Sequence, residues 1–355
     1  MRANFGRIAE RVAPCRVMAV LKANAYGLGV GPIAESLKRA GAYGFGVAEV
    51  REALTVKPLG LPVHILGGLL PEEVPAVVAE GIVAPVTDLA IARLLSAEAA
   101  RTGKKVECHF LVDTGMGRLG ILHQEAEAVI AEAAALPGLV CTGIYSHFPF
   151  AYGDYEFSRR QIALLTDLVG RLAARGIEFQ WRHIANSDGI NNIDESFRGM
   201  FNMVRTGINL YGAFDLEGRQ ALDLTPVLSL KTRLIAIRTL PAGATIGYGR
   251  THRLSSATRV GTVSIGYADG LPLAMSNCGA VMVRGRRCPI LGRVSMDYTT
   301  VSLESVPEAR TGDEVVCLGE GITIKEWARF KGTISYEIIC SIGNRVERIY
   351  VDSNR

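Results

Sequence analysis

The chain has 355 residues, of which 48% are hydrophobic, and a formal net charge of +4. This length is long for one domain and short for three, and the composition supports a sizeable core. The charges are interspersed without a basic block, and the apolar runs break before the roughly 18 residues of a membrane span, so neither nucleic acid nor membrane is expected as a partner. Without a secretory signal, a Cys-x-x-Cys pair or metal-ligand spacing among the histidines, we expect a cytoplasmic protein with free thiols and no metal.

The first elements form a repeating pattern. Residues 1–12 read as an amphipathic helix, and from residue 16 to about 212 short apolar runs alternate with helix-like stretches. The strand candidates are RVMAVLKA, YGFGVAEV, PVHILGG, GIVAPVT, VECHFLVDTG, LVCTGIYSHF, FQWRHIANS and MVRTGINLYG. Apolar strands alternating with helices predict a parallel sheet, and this number of units favours a (β/α)8 TIM barrel. On pattern alone, a doubly wound sheet is the alternative.

The remainder of the chain has a different pattern. Runs such as LSLKTRLIAIRTL, TRVGTVSIGYA and DEVVCLG are β-rich and are joined by turns that contain glycine. They predict a second, mostly β domain. We therefore expect a barrel over residues 1–221 and a C-terminal β domain over residues 222–355.

Polar residues follow the ends of several predicted barrel strands, where barrel enzymes place their active sites. They are Lys22, Asp113, Arg118, His147, His183, Asn186, Ser187, Arg205 and the amides of Gly207 and Ile208. The last two strands of such barrels commonly bind phosphate. A lysine beside a phosphate site predicts covalent attachment of pyridoxal phosphate, and an apolar strand behind Lys22 would favour its neutral amine by excluding water. The alternative for Lys22 alone is a head group that reaches into water.

Six motifs carry a resemblance to a known family. AVLKANAYGLG, LVDTGMGRLG, HIANSDG, VRTGINLYG, SIGYADGLP and GRVSMDY, taken together and in this order, resemble alanine racemases. The resemblance implies a pyridoxal phosphate-dependent isomerase that interconverts L- and D-alanine. It also implies a small-molecule amino acid substrate and a head-to-tail homodimer.

The resemblance also assigns roles to residues. Lys22 would hold pyridoxal phosphate and act as one acid/base group, and Tyr267 of the partner subunit would be the other. The residues that would bind the phosphate are Tyr26, Ser187, Gly207 and Ile208. Arg205 would face the pyridine nitrogen, and His147, counted with the cofactor-binding residues, would support Tyr267. Arg118 would hold the cofactor's phenolic oxygen and help to bind the substrate carboxylate, which the Met296 amide of the partner subunit would also contact.

Three other polar residues are expected to have structural roles. Asn24, Asp113 and Asn186 are expected to cap helices or hold turns.

Two rival functions fit less well. An amino acid decarboxylase of the same architecture would need an acid where Arg205 lies, and a non-catalytic pyridoxal phosphate-binding protein would lack the β domain with GYADG.

Three positions depart from the family pattern. The family has a strand before the first barrel helix, whereas helical sequence here begins almost at residue 1, so either the start lies upstream or the β domain lacks an edge partner. Leu111 replaces a carbamylated lysine that orients the arginine in many members, so Arg118 needs another partner. Asn344 replaces a tyrosine that reaches the phosphate, and we count it among the cofactor-binding residues. Its smaller, polar side chain predicts racemisation of serine beside alanine, with an unchanged specificity as the alternative.

Overall fold

The computed structural model describes residues 1–351, and the chain forms two compact units. The first is Met1–Thr225 and the second begins at Pro226. The division lies a few residues beyond the predicted boundary after residue 221.

The first unit confirms the predicted (β/α)8 barrel. Its main strands are all parallel and form the orders β3-β2-β1-β9 and β4-β5-β7-β8, with the short β6 beside β5. Backbone bonds from Val83 to Val63 (2.8 Å) and from Asn202 to Arg182 (3.1 Å) join these two sheets into a closed ring. The strands are β1 (Arg16–Val20), β2 (Gly44–Val47), β3 (Val63–Ile65), β4 (Ala84–Val86), β5 (Val106–Asp113), β6 (Ile121–Leu122), β7 (Leu139–Tyr145), β8 (Trp181–His183) and β9 (Met203–Thr206).

Helices surround the barrel. The predicted N-terminal helix is present as α1 and buries Phe5, Ile8 and Val12. Asp88 and Asp154 cap α6 and α8 by accepting backbone amides, which stabilises the helix starts. The helices are α1 (Arg2–Val12), α2 (Lys22–Tyr26, a short left-handed segment), α3 (Val30–Arg39), α4 (Val50–Val56), α5 (Val74–Glu80), α6 (Leu89–Thr102), α7 (Ala126–Ala134), α8 (Tyr155–Ala174) and α9 (Ser187–Asn192).

The second unit is mostly β, as predicted. A six-stranded antiparallel sheet has the order β15-β14-β17-β10-β13-β16, and β11 pairs with β12. Its elements are β10 (Leu230–Leu240), β11 (Thr245–Ile246), β12 (His252–Arg253), β13 (Thr258–Val263), β14 (Ala280–Val283), β15 (Arg286–Pro289), β16 (Thr299–Ser302), β17 (Glu314–Leu318), α10 (Ile324–Lys331) and α11 (Ser335–Cys340). None of the helices within residues 1–351 has the length and apolar composition needed to cross a bilayer.

Candidate active site

The barrel gathers the predicted polar residues at the carboxyl ends of its strands. Lys22 follows β1, His147 follows β7, and Gly207 follows β9, which itself carries Arg205. The positive charges of Arg205, Arg118 and Lys22 each lower the pKa of His147, so all three lie close enough to act on its ring. Burial is the larger cause, and together these effects bring that pKa to about 3.

The segment after Lys22 is a left-handed turn. Ala23, Asn24, Ala25 and Tyr26 have φ values of 54°, 54°, 53° and 59°, a conformation that costs a non-glycine residue about 1–2 kcal/mol. Glycine does not make this turn, because Gly27 only ends it, with φ 80°. Hydrogen bonds offset the strain, with the Ala25 amide on the Leu21 carbonyl at 2.8 Å and the Gly27 amide on the Ala23 carbonyl at 2.7 Å.

Two side chains hold this turn in place. Asn24 accepts the Val30 amide at 2.9 Å, as expected for a turn residue. Glu52 accepts the amides of Ala23 at 2.5 Å and Ala48 at 2.8 Å, and so links the turn to the end of β2.

Lys22 itself is exposed in the single chain. The expectation that the strand would bury the amine is therefore wrong, because β1 ends at Val20 and Lys22 begins the next turn. The position leaves the amine accessible to a cofactor aldehyde.

Arg205 lies buried at the centre of the site, with 3% of its surface exposed. Its Nη1 donates to His183 Nδ1 at 2.6 Å, and its Nη2 donates to the Ser146 carbonyl at 2.7 Å and lies 3.2 Å from His147 Nδ1. Burial lowers the pKa of Arg205 to about 10, so the guanidinium keeps its proton at neutral pH. These bonds fix its orientation.

A donor-only guanidinium also fixes the histidine tautomers. Since His183 Nδ1 accepts from Arg205, its proton lies on Nε2 and is donated to His109 Nδ1 at 3.1 Å. His147 accepts through Nδ1 in the same way, which places its proton on Nε2. Burial, with the charge of Arg205, holds the pKa values of His183 and His109 well below the usual range, so both rings are neutral.

The end of β9 forms a cradle suited to phosphate. The Gly207 amide donates to Ser187 Oγ at 3.1 Å, which leaves the hydroxyl hydrogen of Ser187 for another acceptor. A β-carbon on residue 207 would overlap the Tyr26 phenol, so only glycine lets that phenol lie against the turn. Ile208 begins a 3-10 helix, and its amide has no acceptor within that helix. Asn186 caps α9 as expected, accepting the Gly189 amide at 2.9 Å.

Arg118 is presented by a loop that Asp113 holds. The Asp113 carboxylate accepts the amides of Gly115 and Met116 at 2.8 Å and of Gly117 at 2.9 Å, which matches its expected role in a turn. Leu111 is buried and offers no polar group, and Arg118 has no carboxylate partner among residues 1–351. The position of Arg118 is therefore set by the backbone of the loop that Asp113 holds, rather than by an ion pair of its side chain.

The other predicted residues belong to the second unit. Tyr267 begins a 3-10 turn and is 46% exposed, and Met296 is 52% exposed. Asn344 is also exposed.

Sequence reasoning placed His183 at a strand end but gave it no role, and it missed His64 and His109. The sequence of β5 did indicate a place for His109, because the two-residue period of a strand puts residues 109, 111 and 113 on the same face. In the structure the His64 and His109 rings lie 4.8 Å apart, and those of His109 and His183 lie 5.3 Å apart. These three histidines form a buried row that ends at Arg205.

Comparisons with known proteins give one consistent result. Residues 1–215 match the family "Alanine racemase, N-terminal domain" and residues 227–350 match "Alanine racemase, C-terminal domain". "Alanine racemase 2" of Caldanaerobacter subterraneus subsp. tengcongensis is 38% identical over 358 residues, covering 98% of this chain and 92% of that protein. The alanine racemase of Syntrophobacter fumaroxidans is 38% identical over 352 residues, covering 97% of this chain and 93% of that protein.

Solved structures agree. An alanine racemase from Clostridium difficile 630 superimposes with a TM-score of 0.92 at 29% identity, covering 99% of this chain and 93% of that one. An alanine racemase from Bartonella henselae, described with covalently bound pyridoxal phosphate, gives a TM-score of 0.89 at 29% identity and covers 99% of this chain and 96% of that one.

Proposed function

The chain belongs to the alanine racemase family, and from that premise we propose how its own residues carry out the reaction. The protein is a pyridoxal phosphate-dependent isomerase that interconverts L- and D-alanine. The observation that carries the residue assignment is the buried Arg205, held by His183 and His147 at the barrel mouth near Lys22.

The cradle and the buried cation fit the cofactor. Lys22 would hold its aldehyde carbon, and the phosphate would be bound by residues that offer hydroxyls, amides and a side-chain amide: Tyr26, Ser187, Gly207, Ile208 and, as the family resemblance implies, Asn344. When bound, pyridoxal phosphate supplies an electron-withdrawing system that acidifies the α-hydrogen of the amino acid. A phosphate beside the Ile208 amide, which begins a 3-10 turn, would follow the general preference of anions for helix N-termini.

Arg205 would face the pyridine nitrogen of the cofactor as a hydrogen-bond donor. Its two terminal nitrogens are engaged by protein acceptors, whereas no acceptor for its Nε–H occurs among residues 1–351. With a pKa of about 10 it donates this hydrogen bond without giving up the proton at neutral pH. Because Arg205 can only donate, it would leave a ring nitrogen opposite it unprotonated, which would weaken the ring as an electron sink and favour rapid return of the proton to the α-carbon.

Two groups exchange the α-proton from opposite faces of the substrate. Lys22 serves one face, and Tyr267 of the partner subunit serves the other. His147 carries its hydrogen on Nε2 because Arg205 occupies Nδ1, so it can donate a hydrogen bond to the phenolic oxygen. This bond would hold the phenolic oxygen of Tyr267 in place both when it accepts the α-proton and when it returns one.

The substrate carboxylate is bound by charge and by an amide. Arg118 would offer its guanidinium, which has no carboxylate partner within residues 1–351, and it would also hold the cofactor's phenolic oxygen. The Met296 amide of the partner subunit supplies a second donor.

We further propose that the enzyme is a head-to-tail homodimer in the cytoplasm. Several large apolar side chains of the second unit are exposed in the single chain, among them Tyr248, Tyr267, Leu273, Met296 and Tyr298. Such a concentration is typical of a surface that another molecule covers.

The test uses two inactive variants. Lys22→Ala and Tyr267→Phe homodimers should each lose nearly all racemase activity. After subunit exchange, mixed dimers hold both lesions in one site and an intact second site, so activity should reappear. If activity does not return although mass spectrometry of the intact dimer confirms exchange, the two residues do not act across an interface.

A further inference from the structure

Arg345 connects two turns of the second unit. Its Nε donates to Asp269 Oδ1 at 2.6 Å and its Nη2 to Asp269 Oδ2 at 3.0 Å. Its Nη1 donates to Asp297 Oδ1 at 2.7 Å, and Nη2 also lies 3.3 Å from the Met296 carbonyl. A planar guanidinium that binds one carboxylate through two parallel bonds has a defined orientation. One side chain thus spans the turn of residues 266–270 and the turn of residues 295–298.

Asp269 is the buried end of this connection. Only 9% of its surface is exposed, and its Oδ2 also accepts the Gly266 amide at 2.9 Å. Its carbonyl accepts the Gly343 amide at 3.1 Å, which ties the segment that carries Arg345 to the same turn. A buried carboxylate requires such partners.

The two turns are also in direct contact. The Tyr267 amide donates to the Ser295 carbonyl at 3.0 Å, and the Ala268 amide donates to the Met296 carbonyl at 3.2 Å. A β-carbon on Gly266 would overlap both of these carbonyls, so the backbones lie as close as they can. Loosening one turn therefore moves the other.

We propose that Arg345 is a positioning residue of the racemase, which fixes the placement of Tyr267 relative to Met296. The inference rests on the proposed function, in which these residues supply an acid/base group and a contact to the substrate carboxylate. Proton transfer requires the phenol to lie within hydrogen-bond reach of the α-carbon of a substrate that is held at its carboxylate. Arg345 touches neither the substrate nor the cofactor in this role.

The chain offers a matched control. Arg284 binds Asp313 through the same pair of parallel bonds, at 2.6 and 2.9 Å, and its side chain is 42% exposed, against 47% for Arg345. Arg284 lies at the hairpin between β14 and β15, and within residues 1–351 its side-chain hydrogen bonds go to Asp313 and to neither turn. Arg345→Met and Arg284→Met thus both remove a bidentate arginine–aspartate pair from the same unit, and Arg345→Met also removes the bond to Asp297.

The first measurement is hydrogen–deuterium exchange of the cofactor-loaded dimers. In Arg345→Met, peptides that contain the amides of Tyr267 and Ala268 should exchange about tenfold faster, since those amides form the contact between the turns. Arg284→Met should leave these peptides unchanged. Equal exchange in both variants would overturn the proposal. If Arg345→Met does not fold, Arg345→Lys provides the same measurement, because lysine keeps the charge but lacks the planar fork.

The second measurement is kinetic. In Arg345→Met, kcat should fall by about tenfold to hundredfold, as expected for misplacement of a reacting group by about 1 Å. The primary isotope effect with α-deuterated alanine should rise for the one enantiomer whose α-hydrogen Tyr267 removes and should not rise for the other. A general loss of folded enzyme would lower kcat without changing either isotope effect, and that result would overturn the positioning role.

A parallel measurement of Tyr267→Phe distinguishes a failure of the acid/base role of Tyr267 from a failure of the positioning role of Arg345. If Tyr267→Phe is inactive while Arg345→Met behaves like Arg284→Met, only the role of Arg345 fails. If Tyr267→Phe retains full activity, the proposed acid/base assignment fails, and the positioning role fails with it.

Discussion

His64 allows a quantitative test of the buried histidine row. Its ring is 2% exposed, and neither nitrogen has a hydrogen-bond partner among residues 1–351. Burial alone lowers the pKa of His64 from 6.5 to about 3. We choose His64→Leu, which removes the ionisable ring at similar volume, and His64→Gln, which keeps a buried polar group but cannot titrate.

The direction in which pH changes the free energy of unfolding follows from proton binding at His64. Between pH 6.5 and about 3 the unfolded chain takes up a proton at His64 and the folded chain does not, so acid favours unfolding. Each pH unit in this window changes the free energy of unfolding by about 1.4 kcal/mol, which amounts to about 2 kcal/mol between pH 7 and pH 5. This contribution to stability is complete above pH 6.5 and is lost as the pH falls.

The assay is urea unfolding monitored by circular dichroism at pH 7, 6 and 5. Both variants should lose about 2 kcal/mol less than the parent between pH 7 and pH 5. Only His64→Leu should also be more stable at pH 7, by about 1–3 kcal/mol, because it removes the unpartnered nitrogens. Titrating groups far from His64 cancel in the comparison, since they are common to all three proteins. An identical pH dependence in parent and variants would refute the reasoning.

Three further outcomes are expected. Borohydride reduction of the loaded enzyme, followed by peptide mapping, should place the cofactor on Lys22, and Lys22→Ala should carry no label; a label elsewhere would contradict the assignment. Asp113→Asn presents an amide hydrogen to the Gly117 amide, which costs about 1–3 kcal/mol of loop stability, so KM for alanine should rise more than kcat falls; an unchanged KM would mean that the loop does not position Arg118. Asn344→Tyr should lower the ratio of kcat/KM for L-serine to that for L-alanine, and a ratio that does not fall would remove Asn344 from substrate choice.

The sequence alone determined the barrel, the β-rich second unit and most of the proposed site. Strand periodicity and strand ends are local properties, and they place Lys22, His147, Ser187 and Arg205 at one mouth because parallel strands share a direction. The motifs supplied the chemistry, since a lysine, a phosphate cradle and a tyrosine in GYADG occur together in one family.

The tertiary structure decided what depends on distant parts of the chain. The left-handed turn after Lys22 involves ordinary residues, and it persists because Glu52 and backbone acceptors offset its strain. The tautomers of His183 and His147 follow from Arg205, which reaches them from a different strand. No local pattern encodes such pairings, since each depends on the distance between side chains far apart in sequence. Arg345 and Asp269, 76 residues apart, show the same limit: their charges are visible in the sequence, but only the fold brings them within 2.6 Å.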